Sequence, residues 1–447
     1  MRIIIVGAGE VGTNLAKILL EEEQDVVIID NDPQKIAALS ELMDVQALVG
    51  HGSHPDILEA AGANKADMII AVTASDEVNM VACQMAYSLY NIQTKIARVR
   101  DDAYRRVTAH RLYNRDHMPV DVIISPGLEI ANVISRTLAV PGAFEVEDYI
   151  GGNLQMVGCR VQPGAQACGD TIAEIEKQYQ ALRILAIFRR DRLLIPNEDD
   201  HLEKEDEVYF MALRENTPEV MQLLGYEARP NKNVFVIGGG HIGYNVCRNL
   251  ESMGYRPKVL EGHRARAEWL ANELDDTTVL HGDALDQVLL EQEQVGQMGA
   301  VVCITSDDAT NMLASIMVRD MGSENIMSLV NKSSFVPLVS SLGLERVISP
   351  GDITSSRILK HLRMGQVHSV HSLKEGYAEV IEARLSPESP LAGLHVHDLS
   401  LPNGVRLGGV IAGHTVANLS ENTILHAGDN VILIAHEDSI HLAEGLL

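Results

Sequence analysis

Short apolar, β-branched runs recur along the first third of the chain, at Ile3–Val6, Val26–Ile29, Met68–Val72, Lys95–Val99 and Val122–Ile124. Between them lie segments with helical patterning, such as Gly12–Leu20 and Asn79–Tyr90. Runs that are apolar at consecutive positions suit strands covered on both faces. Their alternation with helices predicts a parallel, doubly wound α/β sheet. After Pro141-Gly142 the pattern changes to short strands between turn-rich stretches, including Gln162-Pro-Gly-Ala165 and Ile195-Pro-Asn-Glu-Asp199. A smaller α+β module is expected there.

The whole pattern is written twice. Gly7-Ala-Gly-Glu-Val-Gly12 returns as Gly238-Gly-Gly-His-Ile-Gly243, and Thr73-Ala-Ser-Asp-Glu-Val-Asn79 as Thr305-Ser-Asp-Asp-Ala-Thr-Asn311. Ser125-Pro126-Gly127 returns as Ser349-Pro350-Gly351, and Asp206-Glu-Val-Tyr-Phe-Met211 corresponds to Asp429-Asn-Val-Ile-Leu-Ile434. The expected organisation is a Rossmann-like domain over 1–140, a small α+β domain over 141–225, and then a second pair over 233–364 and 365–447. The proline-containing polar stretch 226–232 reads as the linker between the halves.

Composition sharpens this picture. The 447 residues are 46% hydrophobic but only 4% aromatic, so aliphatic side chains and methionine must fill the cores, as in parallel α/β sheets. A formal charge of −26 argues against a nucleic-acid partner, because phosphate backbones need clustered cations. Cys83, Cys159, Cys168, Cys247 and Cys303 have neither C-x-x-C nor zinc spacing and read as reduced packing residues of a cytoplasmic chain. The opening Met1-Arg-Ile-Ile-Ile-Val6 is broken by glycines and followed by Glu21-Glu22-Glu23, unlike a signal peptide. No stretch reaches the roughly 18 apolar residues of a membrane span.

Each glycine motif follows an apolar strand and opens a helix, the setting that gives G-x-G-x-x-G its meaning. Gly7 and Gly238 allow the tight turn, Gly9 and Gly240 admit a pyrophosphate, and Gly12 and Gly243 let helix and strand approach. Ala8, Glu10 and Val11 in the first copy, and His241 and Ile242 in the second, belong to the same turns. Asp30 and Glu261 end the following strands, where a carboxylate accepts hydrogen bonds from ribose hydroxyls and repels a 2′-phosphate. Thr73 and Thr305 follow the strand across the switch point and are expected to face the nucleotide, while His51 and Asp283 are placed for adenine or for turn chemistry. Arg98 and Arg100, two apart near a strand end, form a candidate phosphate pocket that the second copy replaces with Leu329 and Asn331. The second site is therefore expected to lack arginine and to differ in phosphate preference. His361, His368, His371, His395 and His397 have no metal-ligand spacing, and no metal site is expected.

A duplicated cofactor fold without a substrate domain suits a switch better than a hydride-transfer enzyme. An NAD-dependent oxidoreductase and a scaffold with vestigial sites are the alternatives. The ordered set of motifs resembles the TrkA family, the tandem RCK (KTN) regulatory subunits of Trk potassium-uptake systems. It comprises the N-terminal glycine motif, Gly50-His-Gly-Ser-His-Pro-Asp56, Ala71-Val-Thr-Ala-Ser-Asp-Glu-Val-Asn79, Ile96-Ala-Arg-Val-Arg100 and Val236-Ile-Gly-Gly-Gly-His-Ile-Gly243. The resemblance implies a non-catalytic, cytoplasmic peripheral protein forming a homotetrameric ring on a potassium-translocating membrane subunit. It further implies gating by bound NAD(H), ATP or ADP.

Overall fold

The first half opens with strand β1 (Arg2–Val6), helix α1 (Glu10–Glu21), β2 (Asp25–Asp30), α2 (Pro33–Leu42), β3 (Gln46–Val49) and α3 (Pro55–Ala60). It continues through β4 (Met68–Ala71), α4 (Asp76–Tyr90), β5 (Thr94–Arg98), α5 (Ala109–Leu112), β6 (Val122–Ile124) and α6 (Pro126–Ala139). The computed structural model describes the chain apart from residues 105–108, 150–151, 180–181, 191, 227–230, 345, 363–366, 413–414 and 417–422. Most of the expected 226–232 linker and the expected boundary at 364/365 lie outside the described residues.

The six strands form one parallel sheet in the order β3-β2-β1-β4-β5-β6. Strand order reverses between β1 and β4, which opens a crevice above their carboxyl ends. Both central strands are buried on both faces, which is why they read as unbroken apolar runs.

A small antiparallel domain follows, with β7 (Ala143–Tyr149), β8 (Leu154–Arg160), α7 (Ile172–Glu176), β9 (Arg183–Arg189), β10 (Arg192–Leu194), β11 (Glu207–Leu213) and α8 (Thr217–Leu223). Its sheet order is β10-β9-β11-β8-β7.

The second half repeats both domains. Its parallel sheet contains β12 (Asn233–Ile237), β13 (Arg256–Glu261), β14 (Thr278–His281), β15 (Ala300–Cys303), β16 (Ile326–Leu329) and β17 (Arg346–Ile348), in the order β14-β13-β12-β15-β16-β17. The helices are α9 (His241–Ser252), α10 (Arg264–Glu273), α11 (Gln287–Gln292), α12 (Asp308–Asp320), α13 (Val336–Ser341) and α14 (Pro350–Leu362). The last domain holds β18 (Val367–Leu373), β19 (Ala378–Arg384), β20 (Val405–Ala412), β21 (Thr415–Val416), β22 (Asn430–His436) and α15 (Ile440–Glu444). Its order, β18-β19-β22-β20-β21, matches the first small sheet strand for strand.

The halves exchange their last parallel-domain helices. Ile130, Ala131, Ile134 and Leu138 of α6 are buried in the second half's core beside Tyr244, Cys247 and Leu250 of α9. Conversely, Ile358 of α14 is buried among Leu15, Leu19 and Ile124 of the first half. Polar contacts follow the exchange, with Asn14 donating to Asp352 (2.8 Å), Asn249 to Asn132 (3.0 Å) and Tyr255 to the Leu138 carbonyl (3.0 Å). The small domains also share a core, in which Tyr149, Met156, Leu185, Phe188 and Met211 meet Leu373, Val380, Ile411 and Ile434. Four cysteines are buried and Cys168 partly so, all free, and burial pushes the Cys83, Cys247 and Cys303 thiols up to about 12.

Candidate functional site

Each crevice is floored by its glycine turn. Gly7 and Gly238 hold φ of +114° and +113°, left-handed values that favour glycine. A Cβ on Gly12 would lie 1.8 Å from the Gly7 carbonyl oxygen, and one on Gly243 2.0 Å from that of Gly238, so α1 and α9 can start this close to their strands only without a side chain. Gly9 and Gly240 face nothing within 4 Å. They precede α1 and α9 with no side chain capping the first amides, which leaves an open cradle of N–H donors at a helix start.

Asp30 and Glu261 stand beside these cradles and brace them. Asp30 accepts the Ala8 amide (2.7 Å) and the Asp32 amide (2.9 Å). Glu261 accepts the Gly239 amide (2.9 Å) and the His263 amide (2.8 Å). Glu261 is one methylene longer and 8% exposed, and a Cβ on Gly239 would meet the Leu270 methyl at 2.3 Å.

The wall beyond β4 is built by residues to which the sequence pattern assigned no role. Asn79, fully buried, accepts the Thr73 amide (2.9 Å) and hydroxyl (2.7 Å) and donates to the Thr73 and Arg98 carbonyls (3.2 and 2.9 Å). Asn311 does the same for Thr305 and the Leu329 carbonyl. The threonine hydroxyls, expected to reach a ligand, are thus already engaged: each donates to its asparagine and accepts the amide of Ser75 or Asp307 at 3.3 Å. Asp76 accepts the amides of Arg100 and Asp101 (both 2.9 Å), as Asp308 accepts those of Asn331 and Lys332. The matched partners fix Arg98 opposite Leu329 and Arg100 opposite Asn331. Both asparagines and both aspartates lay within the repeated Thr73–Asn79 and Thr305–Asn311 motifs, which was the signal available.

β5 ends at Arg98, so Arg100 sits in the loop beyond it rather than on the strand. Its guanidinium reaches the Ala74 carbonyl and lies 3.6 Å from Asp76. The Arg98 Nε is buried without a hydrogen-bond partner. Burial and then the neighbouring Arg100 pull the Arg98 pKa below its ordinary value, against the opposing pull of Asp76.

The second crevice has no arginine at the β16 end, but it is not free of arginine. Arg266 of α10 donates to the Gly239 carbonyl (2.8 Å) and the Gly240 carbonyl (3.3 Å), with its guanidinium 4.0 Å from the centre of the Trp269 ring. The comparison of strand ends could not find it, because it comes from the opposite wall.

His51 is exposed and stacks on His54 at 5.2 Å. Asp283 is exposed and accepts the Leu285 amide (2.9 Å), a turn contact. Glu10, Val11, His241 and Ile242 lie in the first turns of α1 and α9, and the Gly127 Cβ position is 3.9 Å from both His241 and Ile242. Among the described residues no group of three or more His, Cys, Asp or Glu is placed to hold a metal, and no helix is long and apolar enough to cross a membrane. The His368 side chain lies outside the described residues.

Known proteins match this arrangement over the full chain. The TrkA-N domain matches residues 3–126 and 234–350, ending where α6 and α14 begin, and the TrkA-C domain matches 156–225 and 380–447. The Trk system potassium uptake protein TrkA of Azorhizobium caulinodans is 36% identical over 100% of this chain and 98% of its own length. That of Halomonas elongata is 37% identical over 97% and 95%. Among solved structures, the GsuK RCK domain superposes with a TM-score of 0.63 at 19% identity, over 100% of this chain and 94% of that one. The GsuK channel bound to NAD gives 0.62 at 20% identity, over 100% and 78%. At these identities the likeness is one of fold.

Proposed function

The chain belongs to the TrkA family of Trk-system potassium uptake proteins, and from that premise we propose that it is the nucleotide-sensing regulatory subunit of a Trk-type potassium-translocating membrane protein. It binds NAD(H), ATP and ADP in its two crevices and gates the membrane subunit from the cytoplasmic face as a homotetrameric ring. Solved structures of similar fold described as bound to NAD and to ADP support the NAD and ADP part of that range.

The observation that carries the reading is the different placement of cations in two cradles of the same fold, with Arg98 and Arg100 at the β5 end of the first and Arg266 at the glycine turn of the second. In the first, Gly9 and the α1 amides receive a pyrophosphate, Asp30 the ribose, and the unpartnered Arg98 Nε, with Arg100, the outer phosphate of a triphosphate. The second has Leu329 and Asn331 there and takes a dinucleotide, or the same ligand more weakly.

Binding is transmitted through the exchanged helices. α1 carries the first cradle and packs against α14 of the other half, while α9 carries the second and packs against α6. A ligand that favours one packing of these pairs shifts the arrangement of both halves, and occupation of one crevice changes affinity in the other reciprocally. Calorimetric titration of the full chain tests the charge assignment. Arg98→Gln should weaken ATP by about tenfold to a hundredfold while leaving NADH at the second crevice unchanged. Equal losses for ATP, ADP and NADH, or none, would overturn it.

A further inference from the structure

Among the described residues, the two small domains are joined by three ion pairs of a single polarity. His371 Nε2 of β18 lies 2.5 Å from Glu145 Oε1 of β7. Lys374, just past β18, pairs with Glu207 of β11 and lies over the Phe188 ring. Arg406 of β20 grips both oxygens of Glu176 on α7 (2.9 and 3.0 Å) and donates to the Ile184 and Pro196 carbonyls. In all three the cation comes from the second half and the carboxylate from the first. Of the three side-chain types, only the imidazole of His371 ordinarily titrates near neutral pH.

We propose that this seam is a proton-operated latch, closed when His371 is protonated and loosened as it loses its proton. Charged and titratable groups act on the ring directly or through its partners. Glu145 and Glu147 of β7 and Arg136 of α6 act on the ring itself. Tyr209 of β11 and Lys374 from the turn after β18 act on Glu145, Glu207 of β11 pairs with Lys374, and Glu382 of β19 acts on Tyr149. Arg136 is itself paired with Glu147 at 2.7 Å, and Glu382 accepts the Ser369 hydroxyl at 2.8 Å. Glu145 is therefore the carboxylate closest to the ring. Burial disfavours the imidazolium, but Glu145 outweighs it and holds the His371 pKa above its ordinary value. Burial also works against the Glu145 charge, and His371, with Tyr209 and Lys374, reverses that and keeps its carboxyl low.

The sign follows from these directions. A histidine with a raised folded-state pKa contributes its full stabilisation below the unfolded value and loses it as pH climbs through the folded one. The seam is tightest on the acid side of neutrality and weakens on the alkaline side as the His371–Glu145 pair is lost. Only Val140 to Gly142 separate α6 from β7, so loosening the seam bears directly on the exchanged helices.

Hydrogen exchange of the full chain, corrected for intrinsic rates and followed by mass spectrometry at about pH 6 and about pH 9, tests this. Peptides over β7 and β18 should lose protection several-fold at the higher pH, while those over β1 and β12 do not. His371→Gln should show the lower protection at both pH values, His371→Lys the higher protection at both, and Lys374→Gln a uniform loss that keeps the pH dependence. Wild-type protection of β7 and β18 that does not change with pH, or a His371→Lys chain that keeps the wild-type pH dependence, would overturn the latch. The lysine variant carries the test if the glutamine variant does not fold.

Discussion

At the scale of single residues, the site divides into groups that build it and groups left for a ligand. Asn79 is wholly a builder, as its amide saturates the Thr73 turn and the end of β5. Asn79→Ala would leave buried donors and acceptors unpaired and should cost about 2–4 kcal/mol in chemical denaturation. A loss under about 0.5 kcal/mol would mean that those groups find other partners. The glycines and the strand-end carboxylates were legible in the sequence because strand–turn–helix geometry fixes them locally. Asn79 and Asp76 were not assigned roles, since their contacts to the end of β5, at the Arg98 carbonyl and the Arg100 amide, lie 19 and 24 residues away, beyond any local period. Arg266 was missed for the same reason, reaching back 27 residues to the turn it touches.

At the scale of elements, the sequence showed most of the parallel-sheet strands of the first half and that the order is duplicated, while the strands of the small domains and most helices emerged only in three dimensions. Periodicity shows that α6 and α14 each have an apolar face but not what covers it. Their own sheets and the other half's helices are equally apolar, so the exchange became visible only in three dimensions. It carries an unusual expectation. Ile358, far along the second half, is fully buried in the first half's core, and Ile358→Ala should cost about 2–5 kcal/mol there. Hydrogen exchange should then quicken over β1 and β4 more than over β12 and β15. The reverse order would mean that α14 serves its own half.

At the scale of the whole molecule, two pseudo-equivalent halves hold each other through α6 on α9, α14 on α1, and the seam between the small domains. Such an assembly responds as a unit, because neither half can change its helix packing without moving part of the other. The crevices depart from this symmetry. Arg98 and Arg100 face Leu329 and Asn331, Asp30 faces Glu261, and Arg266 guards the second turn. On the proposed function, a duplicated fold with diverged ligand positions would read two chemical signals and combine them. The most direct test is potassium flux in vesicles holding a Trk-type membrane subunit with this protein added, compared under ATP, ADP and NADH. The account predicts rates that differ among the nucleotides, and an ATP–ADP difference that disappears when Arg98 and Arg100 are both replaced by glutamine. Flux that is the same with and without the protein under every nucleotide would contradict it.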